Sequence, residues 1–227
     1  MISTYPRIVR YVSNSEKLGI LPAQSWLTDL ELSELSYWKD SSRRNQWLAG
    51  RWLAKRLVTR SLNVDLLREV EILSRGKDGL GKSPTITVGG ISISCRLSIS
   101  HSNQAILVGM TSSDARIGVD VASGVPLTPG FRSRWFNDKE VKWIETNTPI
   151  RLPVAWALKE SIFKACGNER KWDPRSVELV AIDKNRVHSR IHGVDVAPLT
   201  MWVRTTRSGA ATAVWSDTAN QEVTLCS

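Results

Sequence analysis

The chain has 227 residues, 41% hydrophobic and 23% charged, a soluble globular balance with length for one large domain or two small ones. No run approaches the ~18 apolar residues of a membrane span. Nothing near Met1 resembles a leader, and the three cysteines (Cys95, Cys166, Cys226) show no metal spacing, so a reducing cytoplasm is the expected setting. The net charge of +9 points to phosphates or an acidic partner.

In chain order, the first element expected is a helix over about 27–38, entered through a loop at Pro22–Trp26. A second helix spans about 43–60. Trp47, Ala54, Leu57 and Val58 form its buried stripe, and Arg44, Arg51 and Lys55 share another, basic face whose simplest reading is solvation. A loop rich in glycine and charge, 74–84, contains Lys82. Strict alternation from Ile91 to Ile99 predicts one strand with a single buried face. It ends in Ser100-His101-Ser102-Asn103, and Ala105–Met110 returns as a more fully buried strand, so His101 stands at the end of a hairpin.

Residues 111–115 are the best boundary between halves 1–113 and 114–227. Beyond it, Arg116–Val121 reads as a short strand. Asn137 with Glu140 three residues on resembles a capping box for a helix to about Asn147. Trp156-Ala-Leu-Lys-Glu-Ser-Ile-Phe-Lys164 reads as one helix, because Trp156, Glu160 and Lys164 recur every four residues. β-like stretches follow at 176–182, 186–191, 199–205 and 210–216. Most of the ten tryptophans, including Trp26, Trp47, Trp135, Trp156 and Trp202, lie in apolar patterns and are expected to pack in cores or interfaces.

Taken alone, Glu160 and Lys164 would be an exposed ion pair worth ~0.3 kcal/mol. The ordered set says more: Gly50-Arg51 in a basic helix, Ser100-His101-Ser102 at a strand end, Gly118-Val-Asp120 on a strand, and Trp156-x-x-Lys-Glu-Ser-x-x-Lys164 on a helix. This set resembles the 4′-phosphopantetheinyl transferase superfamily, specifically its longer, single-chain (Sfp-type) branch, over roughly residues 43–167. The resemblance implies an α+β fold of two similar α/β subdomains related by a pseudo-two-fold axis, with coenzyme A bound between the halves. It also implies transfer of the 4′-phosphopantetheine arm of coenzyme A to a serine of an acyl- or peptidyl-carrier protein, releasing adenosine 3′,5′-bisphosphate.

By the same resemblance Asp120 and Glu160 are ligands of Mg²⁺, which neutralises the pyrophosphate and holds it in line. Glu160 is also the candidate base for the carrier serine. Lys164 would stabilise the leaving phosphate and Lys159 would contact phosphate from an adjacent face. Arg51, Ser100 and His101 match positions that bind the 3′-phosphate and adenosine end of coenzyme A, and Lys82 resembles another phosphate contact, with Ser83 as an extra residue. Glu140 has an equal claim to a structural role through the capping box.

One departure stands out. The longer branch usually places a second acid two residues after the strand Asp, and here that residue is Ala122. A water could fill the metal position, or the protein could be a weakened, transferase-like binder of coenzyme A or a carrier. A nucleic-acid binder is a third reading, motivated only by charge and tryptophan, and no recognised nucleic-acid motif accompanies it. The expected partners are therefore coenzyme A and an acidic carrier, with neither nucleic acid nor membrane, and the protein is expected to be monomeric. The segment from Ser123 to Gly130 is a candidate carrier contact.

Overall fold

The computed structural model describes residues 7–12, 20–76, 79–102, 105–123, 128–146, 152–166, 172–206 and 209–216. The chain divides into two compact units, Met1–Asp114 and Ala115–Ser227. Cys226 and residues 124–127 of the candidate carrier-contact segment lie outside the described residues.

The first unit contains β1 (Arg7–Val12), α1 (Asp29–Ser36), α2 (Ser41–Leu62), β2 (Val70–Arg75), β3 (Gly81–Val88), β4 (Ile91–Ser92), β5 (Cys95–His101) and β6 (Ala105–Ser112). Two antiparallel sheets form, ordered β1-β6-β5 and β2-β3-β4. Helix α2 starts at Asp40, whose side chain accepts from the Arg43 N–H, and stops at Asn63 in the left-handed region at φ 55°. Its apolar face meets the sheets through Leu53, Leu57, Ile72, Leu97, Val108 and Met110. Each fully buried Leu, Ile or Met contributes roughly 1.5–3 kcal/mol of transfer free energy.

The alternation over 91–99 predicts one strand, but the chain makes two. Ile93 N–H donates to Ile86 O at 2.9 Å and Cys95 N–H to Ile93 O at 3.0 Å. This tight turn ends β4 and lets β5 start in the other sheet. Ile91 is 71% exposed as a result. A period of two cannot register such a break, because the turn preserves the parity of the pattern.

The second unit contains β7 (Ile117–Ser123), α3 (Pro129–Trp135), α4 (Asp138–Thr146), α5 (Leu152–Cys166), β8 (Val177–Asp183), β9 (Arg186–Ile191), β10 (Val194–Thr206) and β11 (Gly209–Trp215). The strands form one antiparallel sheet ordered β7-β11-β10-β9-β8. Helix α5 lies on it and buries Leu158 and Ile162 against Val177, Val187, Leu199 and Val214. Helix α3 and strand β1 have no counterpart in the sequence expectations. Among the described residues, no helix is long and apolar enough to cross a membrane.

The two units share an order of elements: a strand, then helices (two α-helices in the first unit, three in the second), then a run of strands. In each the last strand pairs antiparallel with the first, β6 with β1 and β11 with β7.

Candidate active site

The site is built on the contact between β7 and α5. Gly118 makes that contact possible. A Cβ at this position would stand 1.8 Å from Ser161 O and 2.7 Å from Ala165 N, inside the helix backbone. With no side chain there, α5 settles directly on the strand. Ser161 ties the same helix to β11 by a 2.7 Å hydrogen bond between its hydroxyl and that of Thr212, the residue that pairs with Asp120 in the sheet.

This close approach brings three of the predicted residues together. Lys164 Nζ donates to Asp120 Oδ1 at 2.6 Å and to Val119 O at 3.2 Å. It stands 3.6 Å from Glu160 Oε2 on its own helix. Asp120 is 6% exposed, Glu160 26% and Lys164 30%, so the cluster is partly sheltered and open on one side. Burial first, and then Asp120, pushes the Glu160 carboxyl above its ordinary range; Lys164 and a hydrogen bond from the Trp156 side chain oppose the shift. For Lys164, burial works against the charged form, but Asp120 and Glu160 together outweigh it and the pKa is raised.

Trp156 therefore has a polar use besides packing. Its ring sits in an aromatic nest, with centroids 5.1 Å from Phe131, 6.2 Å from Trp135 and 6.1 Å from Trp172, and its side chain holds Glu160 one turn on. The four-residue spacing carries that signal, although sequence reasoning assigns Trp156 to packing alone.

Lys159 does not stand where the resemblance puts it. It is 1% exposed and its ammonium donates to Glu140 Oε2 at 2.9 Å, Trp135 O at 3.0 Å and Pro174 O at 3.1 Å. All three donors are used inside the protein, which leaves none for a phosphate. Burial pushes its pKa down, with Glu140 opposing. Glu140 completes the arrangement: it closes the capping box with Asn137 and accepts from Leu179 N–H at 2.8 Å. Its role is structural.

The first unit contains the same clasp. Lys55 is fully buried and donates to Glu31 Oε2 and to Trp26 O. Glu31 closes a capping box with Thr28 and accepts from Ile72 N–H at 3.1 Å. The sequence repeat beneath it is Trp26-x-Thr28-x-x-Glu31 with Trp52-x-x-Lys55, against Trp135-x-Asn137-x-x-Glu140 with Trp156-x-x-Lys159. Both Trp pairs meet edge to face, at 5.0 Å and 6.2 Å. In this register Glu160 and Lys164 correspond to Arg56 and Arg60, so only the second unit carries the acid.

Arg51 is buried as well. It is 2% exposed, stacks over the Trp47 ring at 4.6 Å and donates to Glu34 Oε1 and Ser74 Oγ. The α2 face expected to be solvated thus hides two of its three cations, Arg51 and Lys55, because α1 supplies Glu34 and Glu31 opposite them. Both bonds come from Nη2, and Nε and Nη1 are buried with no protein partner among the described residues. Gly50 beside it lets α2 approach the end of β5: a Cβ there would lie 3.1 Å from Ile99 and 3.7 Å from His101. Ser100 is buried and His101 half-buried at that strand end, whereas Lys82 is exposed at the start of β3 in the other sheet of the unit.

Asp120 and Glu160 fit Mg²⁺ as a pair. Two hard carboxylates, near enough for Asp120 to perturb Glu160, are the protein share of a magnesium site that keeps waters and substrate oxygens as its other ligands. Among the described residues, no three His, Cys, Asp or Glu side chains gather in one place. Ala122 is 5% exposed and packs within the apolar cluster under α5, so its position is filled by core contacts.

An α+β unit with a carboxylate pair and a lysine at a strand–helix contact is what the geometry defines. Residues 116–216 match the family model of the 4′-phosphopantetheinyl transferase superfamily. The match falls within the second unit, and the mixed helix and sheet architecture agrees with the fold of that superfamily. A comparison with curated proteins gives no match.

Proposed function

We propose that this protein is a single-chain, Sfp-type transferase that moves 4′-phosphopantetheine from coenzyme A to a serine of an acyl- or peptidyl-carrier protein with Mg²⁺. The observation that carries the reading is the Asp120–Lys164–Glu160 cluster, lying inside the span that matches the superfamily. Mg²⁺, held by Asp120 and Glu160, would supply charge neutralisation on the pyrophosphate. The carrier serine hydroxyl attacks the phosphorus bearing the pantetheine arm, and the bond to the adenosine-side phosphate breaks. Glu160, its carboxylate held by Trp156, accepts the hydroxyl proton directly or through water. Lys164 offers its ammonium to the leaving phosphate. Arg51, Ser100, His101 and Lys82 are the contacts for the adenosine and 3′-phosphate end, with Lys159 supporting the helices instead.

An acidic carrier suits a chain of net charge +9, and association should slow as salt screens the attraction. A cytoplasmic setting is inferred from the scattered cysteines, and a monomer from the resemblance to the longer branch. The packed position of Ala122 favours one second reading, a weakened transferase that holds coenzyme A or a carrier.

The test is incubation with coenzyme A, Mg²⁺ and a panel of apo carrier proteins, followed by intact mass. Phosphopantetheine addition that disappears in Glu160→Gln and Asp120→Asn supports transfer. Coenzyme A binding with no adduct on any carrier selects the weakened reading, and undiminished turnover in both variants would sink the site assignment.

A further inference from the structure

Lys164 occupies the place between the two carboxylates. Its ammonium is 2.6 Å from Asp120 Oδ1 and 3.6 Å from Glu160 Oε2, and a third bond to Val119 O at 3.2 Å holds it against the strand. Helix α5 positions it there, because Gly118 lets the backbones of α5 and β7 meet. With both acids ionised, the pair has a charge of minus two, and the lysine reduces it to minus one. A catalytic lysine that only awaited a phosphate would not need to sit on the carboxylate that ligates the metal.

We propose that Lys164 is the resident counter-cation of the Asp120–Glu160 pair, and that a divalent ion loads by displacing it. This rests on the transferase reading of the site and adds an order to it. In the free protein the ammonium opposes metal binding, since a divalent ion must either break the contact to Asp120 or share that carboxylate with a positive charge. When the pyrophosphate of coenzyme A arrives, Lys164 gains a stronger anionic partner and moves off the pair, and the carboxylate oxygens it held become available to the ion. Metal and coenzyme A then bind with positive coupling, which must be reciprocal. The two-carboxylate set makes this mechanism effective: with position 122 packed in the core, no third acid remains to hold the ion while lysine keeps Asp120.

The experiment measures Mn²⁺ binding to the full chain without coenzyme A, by electron paramagnetic resonance of the free ion, for the wild type, Lys164→Gln and Lys164→Arg. Removing the charge should tighten Mn²⁺ binding by about tenfold or more, and Lys164→Arg, which keeps it, should bind as weakly as the wild type. Adding coenzyme A should tighten Mn²⁺ binding more in the wild type than in Lys164→Gln. Equal or weaker binding by folded Lys164→Gln overturns the proposal, as does Lys164→Arg binding as tightly as Lys164→Gln. If wild-type protein modifies carriers yet Lys164→Gln gains no affinity, only the counter-cation role fails. If Lys164→Gln gains affinity and no carrier is ever modified, the transfer reading fails and the counter-cation role stands.

Discussion

Lys159→Met separates a phosphate contact from a structural clasp. In the structure the substitution removes a donor from Glu140, Trp135 O and Pro174 O at once. Glu140, itself 1% exposed, keeps its bonds from Asn137 and Leu179 but is left as a buried charge without a partner. Breaking a buried ion pair from one side costs about 3–5 kcal/mol, a large share of the ~5–15 kcal/mol that holds a domain together. Lys159→Met should therefore unfold at markedly lower urea concentration. The double variant Glu140→Gln/Lys159→Met strands no charge and keeps an oxygen for Leu179 N–H, so it should recover about 2 kcal/mol or more of that loss. Coenzyme A affinity, measured by calorimetry where the single variant is still folded, should stay within about twofold. A Lys159→Met protein that melts like the wild type but loses coenzyme A affinity tenfold would refute the reasoning and restore the lysine to the phosphate.

Gly118→Ala should destabilise the second unit by ~3 kcal/mol or more, since a methyl 1.8 Å from Ser161 O forces helix and strand apart; a normal melt with normal transfer would contradict the backbone contact. Ala122→Glu should cost about 2–4 kcal/mol in metal-free buffer, because it sets a third carboxylate beside Asp120 and Glu160 among packed apolar groups. Denaturation curves unchanged from the wild type would instead mean that the position is open. Cys95, whose thiol burial pushes up to about 11 from an ordinary 9.0, should be alkylated at pH 8 roughly a hundredfold more slowly than a free cysteine thiol. Rapid labelling of Cys95 in the folded protein would rule out that burial.

The parts of the fold that the sequence announces are those with local causes. The periodicity of α5, the capping box at Asn137 and the buried hairpin leading from His101 each depend on residues a few positions apart. What the sequence conceals is set by partners far along the chain. Arg51 and Lys55 read as a wet basic face until α1 places Glu34 and Glu31 against them, 17 and 24 residues away. Lys159 has the spacing of a catalytic lysine and the environment of a core residue, because Pro174 and Trp135 close over it. The meeting of Asp120 with Glu160 is implied by the family motifs, whereas the bond from Lys164 to Asp120 is not; the mechanical cause of both is Gly118, whose significance lies in a distance that no spacing encodes. The repeated Trp, capping and Lys pattern is legible in principle; its members are spread over more than one helix in each copy, so it escapes a search for contiguous identity.

The Gly118–Ser161 contact contains no side chain. The strand–helix spacing at this point is therefore set by backbone against backbone, beside the buried side chains of Leu158, Ile162 and Val214. Any side chain at position 118 meets the backbone of α5 at Ser161 and Ala165, and so displaces the helix that carries Glu160 and Lys164.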